Sequence, residues 1–89
     1  MHYRLPAAEI ARTLTRHGYT DSTTGPAWAP GHRATQASPT TVRCWHDGPD
    51  EQQHLDQYAD ALHTAGYTVH AERPAAKRPR LRITQQTQK

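Results

Sequence analysis

Phenylalanine and asparagine are absent from this 89-residue chain, and cysteine and methionine occur once each. A single cysteine, Cys44, excludes an intramolecular disulfide and sets the expectation of a reducing, cytoplasmic setting. Hydrophobic residues make up 34% of the chain, against roughly 45–50% in ordinary globular domains. No stretch approaches the roughly 20 apolar residues of a membrane span. The N-terminus carries no apolar run of the signal-peptide kind. The sequence therefore predicts a soluble protein with no membrane partner. The length suits one domain and not two.

What is present is basic. Lys and Arg number 11 against 8 Asp and Glu, giving a formal charge of +3, and seven histidines can add to it at lower pH. All but two of the basic residues, Lys77 and Lys89, are Arg. Ala, Arg, Thr and Pro dominate, a bias that a GC-rich genome produces by codon usage. The Arg excess is therefore partly mutational.

The candidate core is short: Leu5, Ile10, Leu14, Val42, Cys44, Leu55, Tyr58, Leu62, Val69, Leu81 and Ile83, with Tyr19, Tyr67, Trp28 and Trp45. A helix is predicted over 6–17. Pro6 suits its first position, Glu9 its first turn and Gly18 its C-terminal cap. Ala7, Ile10, Ala11 and Leu14 form its apolar stripe. A second helix is predicted from the Asp47-Gly-Pro-Asp-Glu start to about Ala65, with acids capping it and Gly66 closing it. Its buried stripe is Leu55, Tyr58, Ala59 and Leu62. Strands are expected at 40–47, 67–73 and 80–84, with a short one at 1–5. Residues 21–40, rich in Gly, Pro, Ser and Thr, read as a long loop. Residues 85–89 read as a disordered tail after a single domain spanning 1–84.

Ala11-x-x-Leu14-x-x-x-Gly18-Tyr19-Thr20 is echoed by Ala59-x-x-Leu62-x-x-x-Gly66-Tyr67-Thr68. The echo suggests an α-β-β unit used twice, although any helix that ends in Gly and turns into a strand gives a similar pattern. The fold class expected is α+β. Two helices pack on one face of a three- or four-stranded antiparallel sheet. With duplication the order is α-β-β-α-β-β, a circular permutation of the ferredoxin-like arrangement.

Such a sheet leaves one face open. The strand phases put Arg43, Trp45, His70, Arg80 and Arg82 on it. Arg pairs with phosphates, and Trp and His stack on unpaired bases. The run Arg73, Lys77, Arg78, Arg80 and Arg82 adds a polyanion-attracting cluster, held extended by Pro74 and Pro79. The plain alternatives are a solvated Arg face, with Trp45 covered by the loop and Trp28, and a loop that is basic for solubility. Cys44 and His46 share a strand face about 6–7 Å apart. His54 or His63 could supply a third metal ligand, but a structural zinc site takes four, so no metal or other cofactor is expected. No cleft, oxyanion hole or phosphate loop is legible, and no catalytic residue is assigned.

The segment VRCWHDGPDEQQHLDQYADALHTAGYTV, the following RPRLRIT and the earlier TDSTTGPAWAPGHRAT resemble short proteins of high-GC actinobacteria associated with plasmids and integrative elements. The resemblance implies an accessory role in element maintenance, transfer or regulation. It transfers no functional residue. The sequence thus predicts a nonenzymatic nucleic-acid-binding accessory protein. DNA or RNA would be contacted by Arg43, Trp45, His70, Lys77, Arg78, Arg80 and Arg82. The alternative is a protein-interaction module or small regulator acting as a homodimer, suggested by the thin core and Trp28.

Overall fold

Two helix–hairpin units build the chain in the computed structural model, which describes residues 4–85 apart from 26 and 28. The first unit is α1 (Ala7–Arg16), β1 (Gly31–Ser38) and β2 (Thr41–Asp47). The second is α2 (Glu51–Thr64), β3 (Tyr67–Glu72) and β4 (Arg80–Gln85). The four strands form one sheet in the order β1-β2-β4-β3, with every neighbouring pair antiparallel. The protein is therefore an α+β fold with two helices on a four-stranded antiparallel sheet. Moving the first strand of a ferredoxin-like β-α-β-β-α-β chain to its end generates this order.

Both helices stop for the same local reason. Gly18 and Gly66 follow them at φ +93° and +99°, a left-handed conformation that costs only glycine nothing. At α1, Pro6 occupies the extended position before the first turn, where its missing N–H removes no helical bond. The buried stripe of α1 is Ile10, Thr13 and Leu14, and that of α2 is Leu55, Tyr58, Ala61 and Leu62. They cover Val42 and Cys44 of β2, Leu81 and Ile83 of β4 and Val69 of β3. Each fully buried Leu or Ile contributes about 1.5–3 kcal/mol relative to exposure. Tyr19 and Tyr67 pack against this cluster from its margin. No described helix is long and apolar enough to cross a membrane.

Residues 31–38, expected within a loop, form strand β1. Their sequence hides this because the strand is held by backbone rather than by apolar side chains. Its ladder to β2 runs from Gly31↔Asp47 to Ser38↔Thr41. On its other side His32 donates to the Thr20 carbonyl at 2.8 Å, and Ser22 N–H donates to the His32 carbonyl at 2.9 Å. Gly31 makes this approach possible, since a Cβ there would sit 2.1 Å from the Thr20 oxygen. The loop expected over 21–40 thus gives way to a strand from Gly31 onward.

Other expectations shift in detail. Arg4, Leu5 and Pro6 form no strand, and the rest of the strand expected at 1–5 lies outside the described residues. The Leu5 N–H donates to the Pro39 carbonyl at 2.8 Å. Gln36 of β1 donates to the Leu5 carbonyl and accepts from the Ala7 N–H, which ties the start of α1 to the sheet. Gln85 belongs to β4, while residues 86–89 lie outside the described part. Asp47 ends β2 and caps no helix. Its carboxylate accepts from Ser22, Arg33 and Arg78 instead. Asp50 precedes α2 in a left-handed conformation, φ 58°, with no side-chain hydrogen bond to the helix.

Candidate functional site

The face of the sheet opposite the helices carries the residues that alternate with the core. On β2 these are Arg43, Trp45 and Asp47, and on β1 they include Arg33 and Thr35. On β4 they are Arg80, Arg82 and Thr84, and on β3 they are Thr68, His70 and Glu72. The register arranges them in rows across the strands. One row reads His70, Arg82, Arg43, Thr35, through the partnerships His70↔Arg82, Arg43↔Arg82 and Thr35↔Arg43. The next reads Glu72, Arg80, Trp45, Arg33, with Glu72↔Arg80 and Arg33↔Trp45 paired. Trp45 and Arg80 stand one residue beyond the Cys44↔Leu81 pair.

The two rows differ electrostatically. In the second, Arg80 binds Glu72 at 2.8 Å, and Arg33 binds Asp47 at 2.9 Å. The Arg33 guanidinium also lies 4.8 Å from the centre of the Trp45 ring, within cation–π range. In the first row no carboxylate stands between the charges. Arg82 reaches only the far oxygen of Glu72, at 3.9 Å. Arg43 is exposed and makes no ion pair among the described residues. The Arg80 hydrogen bond, with the charges of Arg80, Arg82 and Arg43, holds the Glu72 carboxyl below its ordinary range. Burial would raise the Asp47 carboxyl, but hydrogen bonds from Arg33 and Ser22 outweigh it and hold that group low as well.

Five of the residues predicted for the interface, Arg43, Trp45, His70, Arg80 and Arg82, share this face. Lys77 and Arg78 do not belong to the strands. They lie in the 73–79 turn, which bends where it was expected to run extended. Ala76 takes φ 59°, and the Lys77 N–H returns to the Pro74 carbonyl at 3.2 Å. Lys77 is exposed. Arg78 is turned toward the start of α2, where it binds Glu51 at 2.7 Å, Asp47 at 3.2 Å and the His46 carbonyl. Its work is to fasten the turn to the body. Arg73, in the same turn, hydrogen-bonds Gln52 of α2. Arg33 was missed because β1 was missed. The one signal for it was the duplicated α-β-β pattern, which demands a strand before β2.

The Cys44 and His46 pair points into the core. Burial pushes the Cys44 thiol up to about 12, so it is neither a thiolate nucleophile nor a ready metal ligand at neutral pH. His46 and His54 stack face to face, with centroids 3.9 Å apart and planes 2° from parallel. Their rings lie on one another rather than converging on a point. Among the described residues no three His, Cys, Asp or Glu side chains are arranged to hold a metal ion.

No protein-family description, curated protein or solved structure matches this chain.

Proposed function

We propose that this chain is a nonenzymatic nucleic-acid-binding accessory protein and that the helix-free sheet face is its binding surface. The observation that carries the reading is the Arg43↔Arg82 pairing on the two central strands. Like charges directly opposite each other on one face destabilise a sheet. An anion bound across the pair would relieve that repulsion, and a phosphate takes both guanidinium groups readily. Trp45 stands in the neighbouring row and offers a ring for a base to stack on. His70 extends the row onto the edge strand, opposite Arg82.

An unpaired strand suits this surface better than a duplex. A four-stranded face presents aromatic and cationic groups in two rows, an arrangement on which splayed bases stack and phosphates pair. The outward residues of α2 include the neutral Gln53 and Gln57 and the acidic Asp56 and Asp60, and the two aspartates repel phosphate, so this helix is poorly suited to reading a groove. The test is a titration of a labelled single strand and a labelled duplex at about 50 and 200 mM salt, a span over which several phosphate contacts lower affinity by orders of magnitude. Tighter, salt-sensitive binding of the single strand is the expected result. No binding of either at the lower salt would retire the reading in favour of a homodimeric protein-interaction module, whose mass light scattering would give.

A further inference from the structure

The two rows of the open face suit different parts of a nucleotide. In the row His70, Arg82, Arg43, Thr35 no carboxylate stands between the charges, and Arg43 and Arg82 face each other on neighbouring strands. In the row Glu72, Arg80, Trp45, Arg33 each arginine is matched by an acid, Arg80 by Glu72 at 2.8 Å and Arg33 by Asp47 at 2.9 Å. A phosphate gains little in that row, because both guanidinium groups are engaged and the carboxylates repel it. The rows stand two residues apart along each strand, roughly 7 Å, a step of the size of the sugar that joins a phosphate to its base.

Trp45 stands in the middle of the neutralised row, between Arg33 on β1 and Arg80 on β4. Its ring is held from one side. The Arg33 guanidinium lies 4.8 Å from the ring centre, within cation–π range, and Arg33 donates to the Asp47 carboxylate. Asp47 also accepts from Ser22 at 2.9 Å and from Arg78 at 3.2 Å, residues outside the sheet. A chain of contacts from Asp47 through Arg33 therefore sets the plane of the indole. Arg33 takes one face of the ring. The indole is half-buried, and the part left to solvent lies on the side of the sheet where no helix stands.

Building on the nucleic-acid reading above, we infer that the face selects a base-bearing strand over a bare polyanion, that a base stacks on Trp45 while Arg43 and Arg82 hold its phosphate, and that Arg33 is the positioning residue for that stack. The bound strand then lies across the β-strands, with phosphate on one row and base on the other. Every unpaired base offers a flat π-face, so the stack itself reads no sequence. A polyanion without bases meets only the Arg43–Arg82 pair.

Arg33 acts through orientation rather than through charge. Its guanidinium is engaged by Asp47 and by the indole, so removing it loosens the ring and takes away no phosphate contact. Arg43 is the opposite case, exposed and without an ion pair among the described residues. The two arginines are therefore separable by experiment, since the salt dependence of binding counts phosphate contacts and is blind to stacking.

The probes are an oligothymidylate and an abasic deoxyribose-phosphate oligomer of the same length, each titrated at about 50 and 200 mM salt. The expected result is that wild type binds the oligothymidylate about tenfold or more tightly than the abasic oligomer, with quenching of indole fluorescence, and that the two share one salt slope. Trp45→Leu should abolish both the preference and the quenching and keep the slope. Arg33→Gln should reduce the preference and also keep the slope. Circular dichroism confirms that each variant is folded. If neither oligomer binds wild type, the nucleic-acid reading falls and the base stack with it. If both bind with equal affinity and a steep salt slope, the Arg43–Arg82 phosphate site stands and the base stack alone is overturned. The stack is equally overturned if folded Trp45→Leu retains the preference, and the role of Arg33 is overturned if folded Arg33→Gln flattens the slope or leaves the preference unchanged.

Discussion

Arg43 on β2 and Arg82 on β4 face each other as cross-strand partners at the centre of the sheet, with no carboxylate in their row. In the row beside them each arginine has an acid, Arg80 with Glu72 and Arg33 with Asp47. The fold therefore neutralises one row of the open face and leaves the other charged. Replacing Arg43 with Thr should leave the unliganded protein as stable or more stable, by about 0.2–1 kcal/mol at low salt. Urea unfolding at two salt concentrations measures this, and the gain should shrink as salt screens the pair.

Asp47 and Asp50 should respond very differently to the same change. Asp47→Asn weakens hydrogen bonds from Ser22, Arg33 and Arg78 at once, and a loss of about 1–3 kcal/mol is expected. Asp50→Asn touches no side-chain cap and should stay within about 0.5 kcal/mol. Asparagine also tolerates the left-handed backbone at that position. Chemical denaturation of the two variants side by side checks the contrast.

Gly31→Ala should be severely destabilising. The added methyl would sit 2.1 Å from the Thr20 carbonyl oxygen, which belongs to the backbone that pairs β1 with the Thr20–Ser22 segment. Relief requires separating that segment from the strand, so a loss beyond about 2 kcal/mol is expected. Thermal unfolding measures it. A stability equal to wild type would mean that β1 is not paired on this side.

Acid should weaken the fold before its carboxylates titrate. Burial lowers the folded-state basicity of His32, partly offset by Asp21 and reinforced by His46. Burial and the adjacent His54 do the same for His46, partly offset by a backbone hydrogen bond at Pro49 and by the charges of Asp47 and Glu51. Both histidines therefore bind protons more readily in the unfolded chain, where the ordinary value is about 6.5. Their contribution is complete above that value and is lost as pH falls from it through their lower folded values. Stability measured between pH 7.5 and pH 5 should fall, and the His46→Gln variant should show a smaller decline. A flat profile across that interval would contradict the burial of both rings.

Much of this architecture was legible in the sequence because it rests on side-chain periodicity. All eleven aliphatic, thiol and phenol positions from Leu5 to Ile83 in the primary core list are buried, and the in–out phases of β2 and β4 follow strict alternation, whereas on β3 Val69 is buried but Ala71, expected on the same face, is exposed. Strand β1 was illegible for the opposite reason. Its inward positions are His32, Ala34 and Gln36, so it shows no apolar alternation, and its stability comes from backbone pairing and from Gly31. The role of Arg78 was equally hidden. A basic residue in a turn looks the same whether it faces solvent or clasps Glu51 and Asp47. The His46–His54 stack and the His46–Tyr58 hydrogen bond could not be read either, since contacts between a strand and a helix leave no spacing rule in the chain.

The central claim is that the Arg43–Arg82 row binds the phosphates of an unpaired strand. The most direct test compares the salt dependence of single-strand binding for wild type, for Arg43→Gln with Arg82→Gln, and for Arg78→Gln. The double variant should bind more weakly, with a salt slope shallower by about 0.7, the share of the one phosphate that the pair holds on a single strand. Arg78→Gln, which changes an arginine already held by Glu51 and Asp47, should leave the slope unchanged. Equal slopes for wild type and the folded double variant, or a larger effect of Arg78→Gln, would contradict the account.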